Sequence, residues 1–260
     1  MSNHPTVFDT TLPGLGLLLG PRWRLRAVLE TGSTNSDLLE ACRNQAPEPQ
    51  LLVAERQRAG RGRLGRSWES SGSEASLTFS LAWPLAAGTP LDGLSLAVGV
   101  ALAESLDPSD AGLRLKWPND LWWQDRKLGG VLIEALTGSS GVSAVVVGVG
   151  LNLARPDATE LPETAGLRDL DAVWTAPLAL AAVLPSLAAL LEGWQGFTPD
   201  WQRRFAARDA LAGRAVAGDG VEGIAEGVSR DGLLCLRGAD GGLRLLRAGE
   251  ARLRPQEVRR

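Results

Sequence analysis

Between Glu55 and Trp68 the chain places five arginines and three glycines in fourteen residues, as Glu55-Arg56-Gln57-Arg58-Ala59-Gly60-Arg61-Gly62-Arg63-Leu64-Gly65-Arg66-Ser67-Trp68, straight after an apolar run that reads as a strand. Glycines let a backbone approach a ligand and offer it N–H groups, and closely spaced guanidiniums present forked donors to a carboxylate or phosphate. The chemistry that this pattern points to is anion binding. A solvated basic loop or an RNA-touching Arg-Gly-Arg tract uses the same residues. A Walker phosphate loop is excluded, because no Gly-Lys-Ser/Thr follows.

Three other segments carry chemistry-bearing side chains. Lys116-Trp117-Pro118-Asn119-Asp120-Leu121 is a strand end running into a turn, where Asn119 can orient a ligand and Asp120 can accept from a base or hold Mg²⁺ through its waters. A plain turn over a packed tryptophan explains it equally. In Arg126-Lys127-Leu128-Gly129-Gly130-Val131-Leu132-Ile133-Glu134, a lysine point charge precedes a strand and two glycines that let a substrate lie against the backbone; a hairpin turning at Gln124-Asp125-Arg126 is the bland alternative. Val145 to Leu153 is a buried strand whose Gly148 and Gly150 clear one face, for a flat ligand or for another backbone.

The elements that must position these residues follow from periodicity. Short β-type runs lie at Leu51 to Ala54, Ser76 to Ala82, Leu113 to Lys116, Val131 to Ala135 and Ser143 to Gly150. Helical patterns cover Ser36 to Arg43, Leu91 to Leu106, Pro177 to Trp194 with a bend at Pro185, and Pro199, capped by Thr198, to about Leu211. Strands and helices in irregular order make residues 1–211 an α+β unit. From residue 212 to 260, short alternating runs (Gly223 to Ser229, Leu233 to Arg237, Leu243 to Arg247) separated by Asp-Gly turns read as a small β-barrel or meander.

Composition removes whole classes. A net charge of −3 and a pI near 5.4 exclude a broadly basic nucleic-acid binder. Two distant cysteines, Cys42 and Cys235, give neither a disulfide framework nor a CxxC site, which suits a reducing cytoplasm. One histidine, His4, excludes multi-histidine metal sites and argues against a serine–histidine triad. No apolar run has membrane-spanning length, and the first residues lack the pattern of a signal peptide. Of 27 basic residues, 25 are arginine; the two lysines are Lys116 and Lys127.

Taken together, Ser33-Thr34-Asn35, the Gly60-Arg61-Gly62-Arg63-x-Gly-Arg-x-Trp loop, Lys-Trp-Pro-Asn-Asp-Leu, Lys127-Leu-Gly-Gly and Gly148-x-Gly-x-Asn152 resemble the biotin protein ligases, over roughly Leu29 to Arg254. The resemblance implies a class II synthetase-like mixed β-sheet catalytic domain and an SH3-like C-terminal domain. It also implies a reaction: biotin and ATP, with Mg²⁺, give biotinyl-AMP and pyrophosphate, and biotin then passes to a lysine of a biotin carboxyl carrier domain. By the family pattern Ser33, Thr34, Asn35 and Gln57 face the biotin ring, and Gly60, Arg61, Gly62 and Arg63 its carboxylate and the adenylate phosphate. Arg66 and Trp68 close towards the nucleotide, and Lys127 bridges the carboxylate and α-phosphate beside the Gly130 backbone. Lys116, Asn119 and Asp120 fall on the nucleotide and Mg²⁺ side, and Asn152 on the adenine and ribose side. The loop is expected to order over its ligands, with Lys127, Arg61 and Arg63 as the catalytic group.

Two departures accompany the resemblance. Ala154 to Ala172 holds no aromatic residue to cover adenine, which leaves aliphatic side chains or Trp174 for that task. The residues ahead of Ser33 are too few and too poor in helical pattern for a winged helix-turn-helix, so a ligase that does not bind DNA is expected, with a homodimer as a family assembly state. A lipoate ligase runs the same adenylation on another acid, but the arginine loop and Lys-Trp-Pro-Asn-Asp favour biotin. An RNA-binding protein using the basic loop and small barrel would leave Lys127 without a role.

Overall fold

A computed structural model describes residues 5–70, 72–138, 141–156, 163–249 and 253–256. The chain opens with α1 (Leu12–Leu19), β1 (Arg24–Thr31), α2 (Thr34–Asn44), β2 (Gln50–Gln57), β3 (Ser76–Pro84) and α3 (Leu94–Leu106). It continues through β4 (Leu113–Lys116), β5 (Asp120–Trp123), β6 (Arg126–Gly138), β7 (Gly141–Asn152), α4 (Ala176–Glu192) and α5 (Pro199–Ala207). The last strands are β8 (Ala215–Gly218), β9 (Val221–Val228), β10 (Leu234–Arg237), β11 (Leu243–Leu246) and β12 (Arg254–Pro255). The expected α+β class is what the structure has.

A seven-stranded mixed sheet runs in the order β1-β2-β3-β7-β6-β5-β4, with β1 and β2 parallel and the other pairs antiparallel. Strand alternation divides its side chains between two faces. Leu51, Val53, Leu77, Phe79, Val147 and Val149 join the larger core with α3 and α4, whereas Leu52, Ala82, Ala144 and Val146 pack with Leu38, Leu39 and Cys42 of α2. Register then sets Ser80 beside Gly148 beside Leu132, and Thr78 beside Gly150 beside Gly130. On the α2 side of the sheet these small residues leave a depression.

Five short strands form the second sheet, in the order β11-β10-β9-β8-β12. It is tied to the first by Trp117, buried at the end of β4, whose indole Nε1 donates to Gly232 O at 3.1 Å.

Several boundaries differ from the periodicity. Helix α1 and strand β1 stand where no element was expected; β1 is an edge strand whose Arg24-Leu25-Arg26-Ala27 alternation is half exposed. The strand end and turn read at Lys116 to Asp120 are what the structure has: β4 ends at Lys116, residues 117–119 turn, and β5 starts at Asp120 opposite Lys116. Strand β5 then forms the hairpin read at Gln124-Asp125 with β6, both residues at positive φ. Helix α4 continues past Pro185 and ends at Glu192, short of Trp194. Helix α5 ends at Ala207, not Leu211, because the next residues become a strap along β4: Leu115 N donates to Arg208 O at 2.8 Å and Ala210 N to Leu115 O at 2.9 Å. Arg208 itself is drawn inward by Asp107, at 3.2 Å.

Candidate active site

A cavity of about 670 Å³ opens over the small-residue rows of β3, β7 and β6. Its walls come from the start of α2, the arginine loop after β2, the β4–β6 segment and the tail of the second sheet. Ser33, Thr34, Asn35, Gln57, Arg61, Gly62, Arg63, Arg66, Trp68, Lys116, Asn119, Asp120, Lys127 and Gly130 all line it. Segments from Ser33 to Pro255 therefore meet around one space.

One end is a polar relay on an apolar sheet. Gln57 Oε1 accepts from Thr34 N at 2.8 Å and lies 3.1 Å from Thr34 Oγ1; the Thr34 hydroxyl pairs with Ser80 Oγ at 2.7 Å, and Ser80 Oγ donates to Asn35 Oδ1 at 2.5 Å. Helix α2 thus starts with side chains of β2 and β3 fixing its first turn, in place of a side-chain cap from Ser33. Buried hydroxyls and amides held this way can recognise a small polar ring.

The other end concentrates positive charge. Lys127 Nζ lies 2.7 Å from Asp120 Oδ1 and 5.9 Å from the centre of the Trp68 ring. Lys116 Nζ stands 5.3 Å over the Trp122 ring. Burial pushes the Lys116 ammonium below its ordinary pKa; Asp120 opposes this, and Lys127, Arg254 and Arg66 add to it. Burial likewise lowers Arg63, whose Nη1 donates to Asn119 Oδ1 at 3.3 Å. Lys116 and Arg63, whose charged forms burial disfavours, gain from a bound polyanion beside them.

The loop is folded as a hairpin, with Trp68 N donating to Gly60 O at 2.8 Å and Gly62 N to Arg66 O at 2.7 Å. Its tip carries Leu64 at φ 56° and Gly65 at φ 72°. A Cβ on Gly60 would lie 2.4 Å from Trp68 O, so that glycine serves the closure of the hairpin and does not line the cavity. Asn152 is also off the lining: it is buried, and its Nδ2 donates to Ala165 O at 3.2 Å, anchoring the segment that runs beside Lys127. That segment adds a short parallel bridge, with Lys127 N donating to Glu163 O and Ala165 N to Lys127 O, each at 2.8 Å.

The open face expected at Gly148 and Gly150 receives side chains. A Cβ at Gly148 would meet Asn35 Oδ1 at 2.3 Å, and one at Gly150 the Trp68 ring at 2.4 Å. Trp174 packs against the core outside the cavity, and its carbonyl accepts from Arg168 Nε at 2.9 Å. Trp68, Phe79, Trp117 and Trp122 are the aromatic residues that line the space. Of the span Ala154 to Ala172, residues 157–162 lie outside the described residues. Sequence reasoning missed Ser80, Glu163, Leu253 and Arg254 as lining residues; none sits in a motif, and the register of β3, the bridge beside Lys127 and the return of β12 to β8 bring them there.

Residues 30–152 match the family model described as biotin/lipoate A/B protein ligase. The biotin–acetyl-CoA-carboxylase ligase of Mycobacterium tuberculosis is 34% identical over 232 residues, covering 84% of this chain and 85% of the relative. The bifunctional ligase/repressor BirA of Escherichia coli is 36% identical, covering 86% of this chain and 72% of the relative. This chain belongs to the biotin protein ligases. Among solved structures, the biotin protein ligase of Aquifex aeolicus in complex with biotin and ATP superposes with a TM-score of 0.76 at 28% identity, over 90% of this chain and 99% of that one. Within this family the position of the relay and of the cation cluster in one cavity is the feature to explain.

Proposed function

We propose that the cavity activates biotin with ATP and passes it to a lysine of a biotin carboxyl carrier domain, with the relay at the ring and the lysine–arginine cluster at the anions. The observation that carries this reading is that both halves line one space in a member of the ligase family. In the first step a biotin carboxylate oxygen attacks the α-phosphorus, a new P–O bond forms, and the bond to pyrophosphate breaks with its electron pair on the leaving oxygen. No proton moves, so the barrier is electrostatic: two anions meet and charge builds on phosphorus.

Lys127 is suited to stand between the two anions, since an ammonium is compact and Asp120 holds it in place. Arg63 and Arg66 face the phosphates, with Lys116, Asn119 and Arg254 on the nucleotide side, and the Gly130 backbone lies beside the carboxylate. Trp68 and Trp122 offer faces for a base. Gly60 and Asn152 support the loop and the Lys127 segment instead of touching ligand. In the second step the carrier lysine's amine attacks the acyl carbon, AMP leaves, and the amine gives up a proton.

Among the described residues no group of three or more His, Cys, Asp or Glu side chains could hold a metal ion. Mg²⁺ is assigned to the ATP phosphates, where it would neutralise charge, with Asp120 as the carboxylate that could hold it through its waters. We further propose a catalytic unit of residues 1–211 and an SH3-like unit of residues 212–260; the two separate sheets support that division. A cytoplasmic enzyme accords with the free Cys42 and Cys235, and with the finding that no described helix is long and apolar enough to cross a membrane. A homodimer is the proposed assembly, supported by the edge position of β1, and is tested by sedimentation. DNA binding is not proposed: α1 carries no basic residue. A gel shift that survives about 0.15 M salt would contradict that. The direct test of the function is transfer of labelled biotin to a carrier domain with ATP and Mg²⁺; mass spectrometry of the adenylate formed with biotin or lipoate decides the acid.

A further inference from the structure

Glu134 closes the lysine–glycine segment of β6, and neither its spacing nor the family resemblance gives it a role. It stands on β6 in the same alternating row as Gly130 and Leu132, which line the cavity. Its side chain is only 21% exposed, and both carboxylate oxygens are used by donors from different elements. Oε2 accepts from Asn35 Nδ2 at 3.0 Å in the first turn of α2, and Oε1 from Arg61 Nη2 at 2.7 Å in the arginine loop. A carboxylate can only accept, so it dictates which end of the Asn35 amide faces it. With the NH₂ turned to Glu134, Oδ1 is turned to Ser80, so the Ser80 hydroxyl donates to it and accepts from the Thr34 hydroxyl, while Gln57 Oε1 is held by Thr34 N. Arg61 is completed by Ser36 Oγ at 3.2 Å, also on α2.

We infer that Glu134 is a positioning residue: it locks the Asn35 amide and docks the arginine loop over the same pocket, so that ring recognition and loop placement depend on a single carboxylate. This rests on reading the cavity as the biotin-activating site. Glu134→Gln keeps the shape but presents an NH₂ to either Asn35 or Arg61, setting donor against donor. Glu134→Asp keeps an acceptor-only group on a shorter reach.

In biotin-dependent pyrophosphate exchange, Glu134→Gln should raise the biotin KM about tenfold, through Asn35, and the ATP KM by a smaller factor of about three, through the undocked loop, with Tm unchanged. Glu134→Asp should recover part of the loss. An unchanged biotin KM, or a parallel loss in all parameters together with a fall in Tm, would overturn the assignment. A second measurement does not depend on activity. Trypsin should cut after Arg61 and Arg63 about fivefold faster in unliganded Glu134→Gln than in the native protein at equal Tm, because the loop has lost its dock. Equal cleavage rates would sink the idea. If the native protein shows no biotin-dependent exchange, the ligase reading fails, and the proteolysis still decides whether Glu134 holds the loop.

Discussion

Lysine survives at two positions in this chain, and both side chains reach the same cavity. An ammonium fits between a carboxylate and a phosphate where a planar guanidinium demands two parallel bonds and more room. Lys127→Ala should therefore lose exchange activity by about a hundredfold or more. Lys127→Arg should be nearly as damaging, although the charge is retained. Lys127 is about a third exposed, so its pairing with Asp120 contributes little to folding, and Tm should stay within about 3 °C of the native value in both variants. Thermal melts alongside single-turnover adenylation check both halves of the statement. These two residues were legible because an arginine-rich chain makes a lysine conspicuous. Glu134 was not, since a lone glutamate on a strand carries no signal until the fold brings Asn35 and Arg61 to it.

At the scale of elements, the glycines of β7 show what spacing can and cannot say. That Gly148 and Gly150 clear one face could be read from their period of two; that the cleared space admits Asn35 and Trp68 could not, because it depends on α2 and the loop folding over it. Gly150→Ala should push the Trp68 indole off the strand, costing about 1–3 kcal/mol of overpacking or displacing the loop. The expected readout is a shift in tryptophan emission with an increase in the ATP KM larger than that for biotin. Unchanged emission and kinetics would mean that Trp68 does not rest on Gly150 in solution. The same distinction explains the boundaries. Helices α2 and α3 and strands β2, β3 and β7 announced themselves through apolar period, whereas β1 is a half-exposed edge with arginines. Helix α5 stops early because a buried ion pair and two backbone bonds to β4 outweigh the helical propensity of Arg208 to Leu211.

For the whole molecule, the strap between the two sheets is held by Arg208 and Asp107, whose side chains are 7% and 1% exposed. Removing one partner strands a buried charge, so Arg208→Ala should cost about 3–5 kcal/mol in urea unfolding. Burial by itself raises the Asp107 carboxyl, but N–H groups of Leu113, Ala111 and Gly112 and the Arg208 guanidinium outweigh it and hold Asp107 below its ordinary value. A depressed carboxyl contributes stability above its unfolded pKa, near 3.8, that is lost as pH falls through the folded one. Native protein should thus lose stability steadily below about pH 4, and Arg208→Ala should show a shallower acid slope. Loss of this strap would also disturb the cavity, since β4 ends in Lys116 and the second sheet brings Leu253 and Arg254 to the opening. The account of the molecule as a biotin-activating enzyme meets its most direct test in ATP–pyrophosphate exchange measured with and without biotin, for native protein and Lys127→Ala. Exchange that requires biotin and disappears in the folded variant is the predicted result; exchange that is indifferent to biotin, or that persists without the Lys127 ammonium, would contradict it.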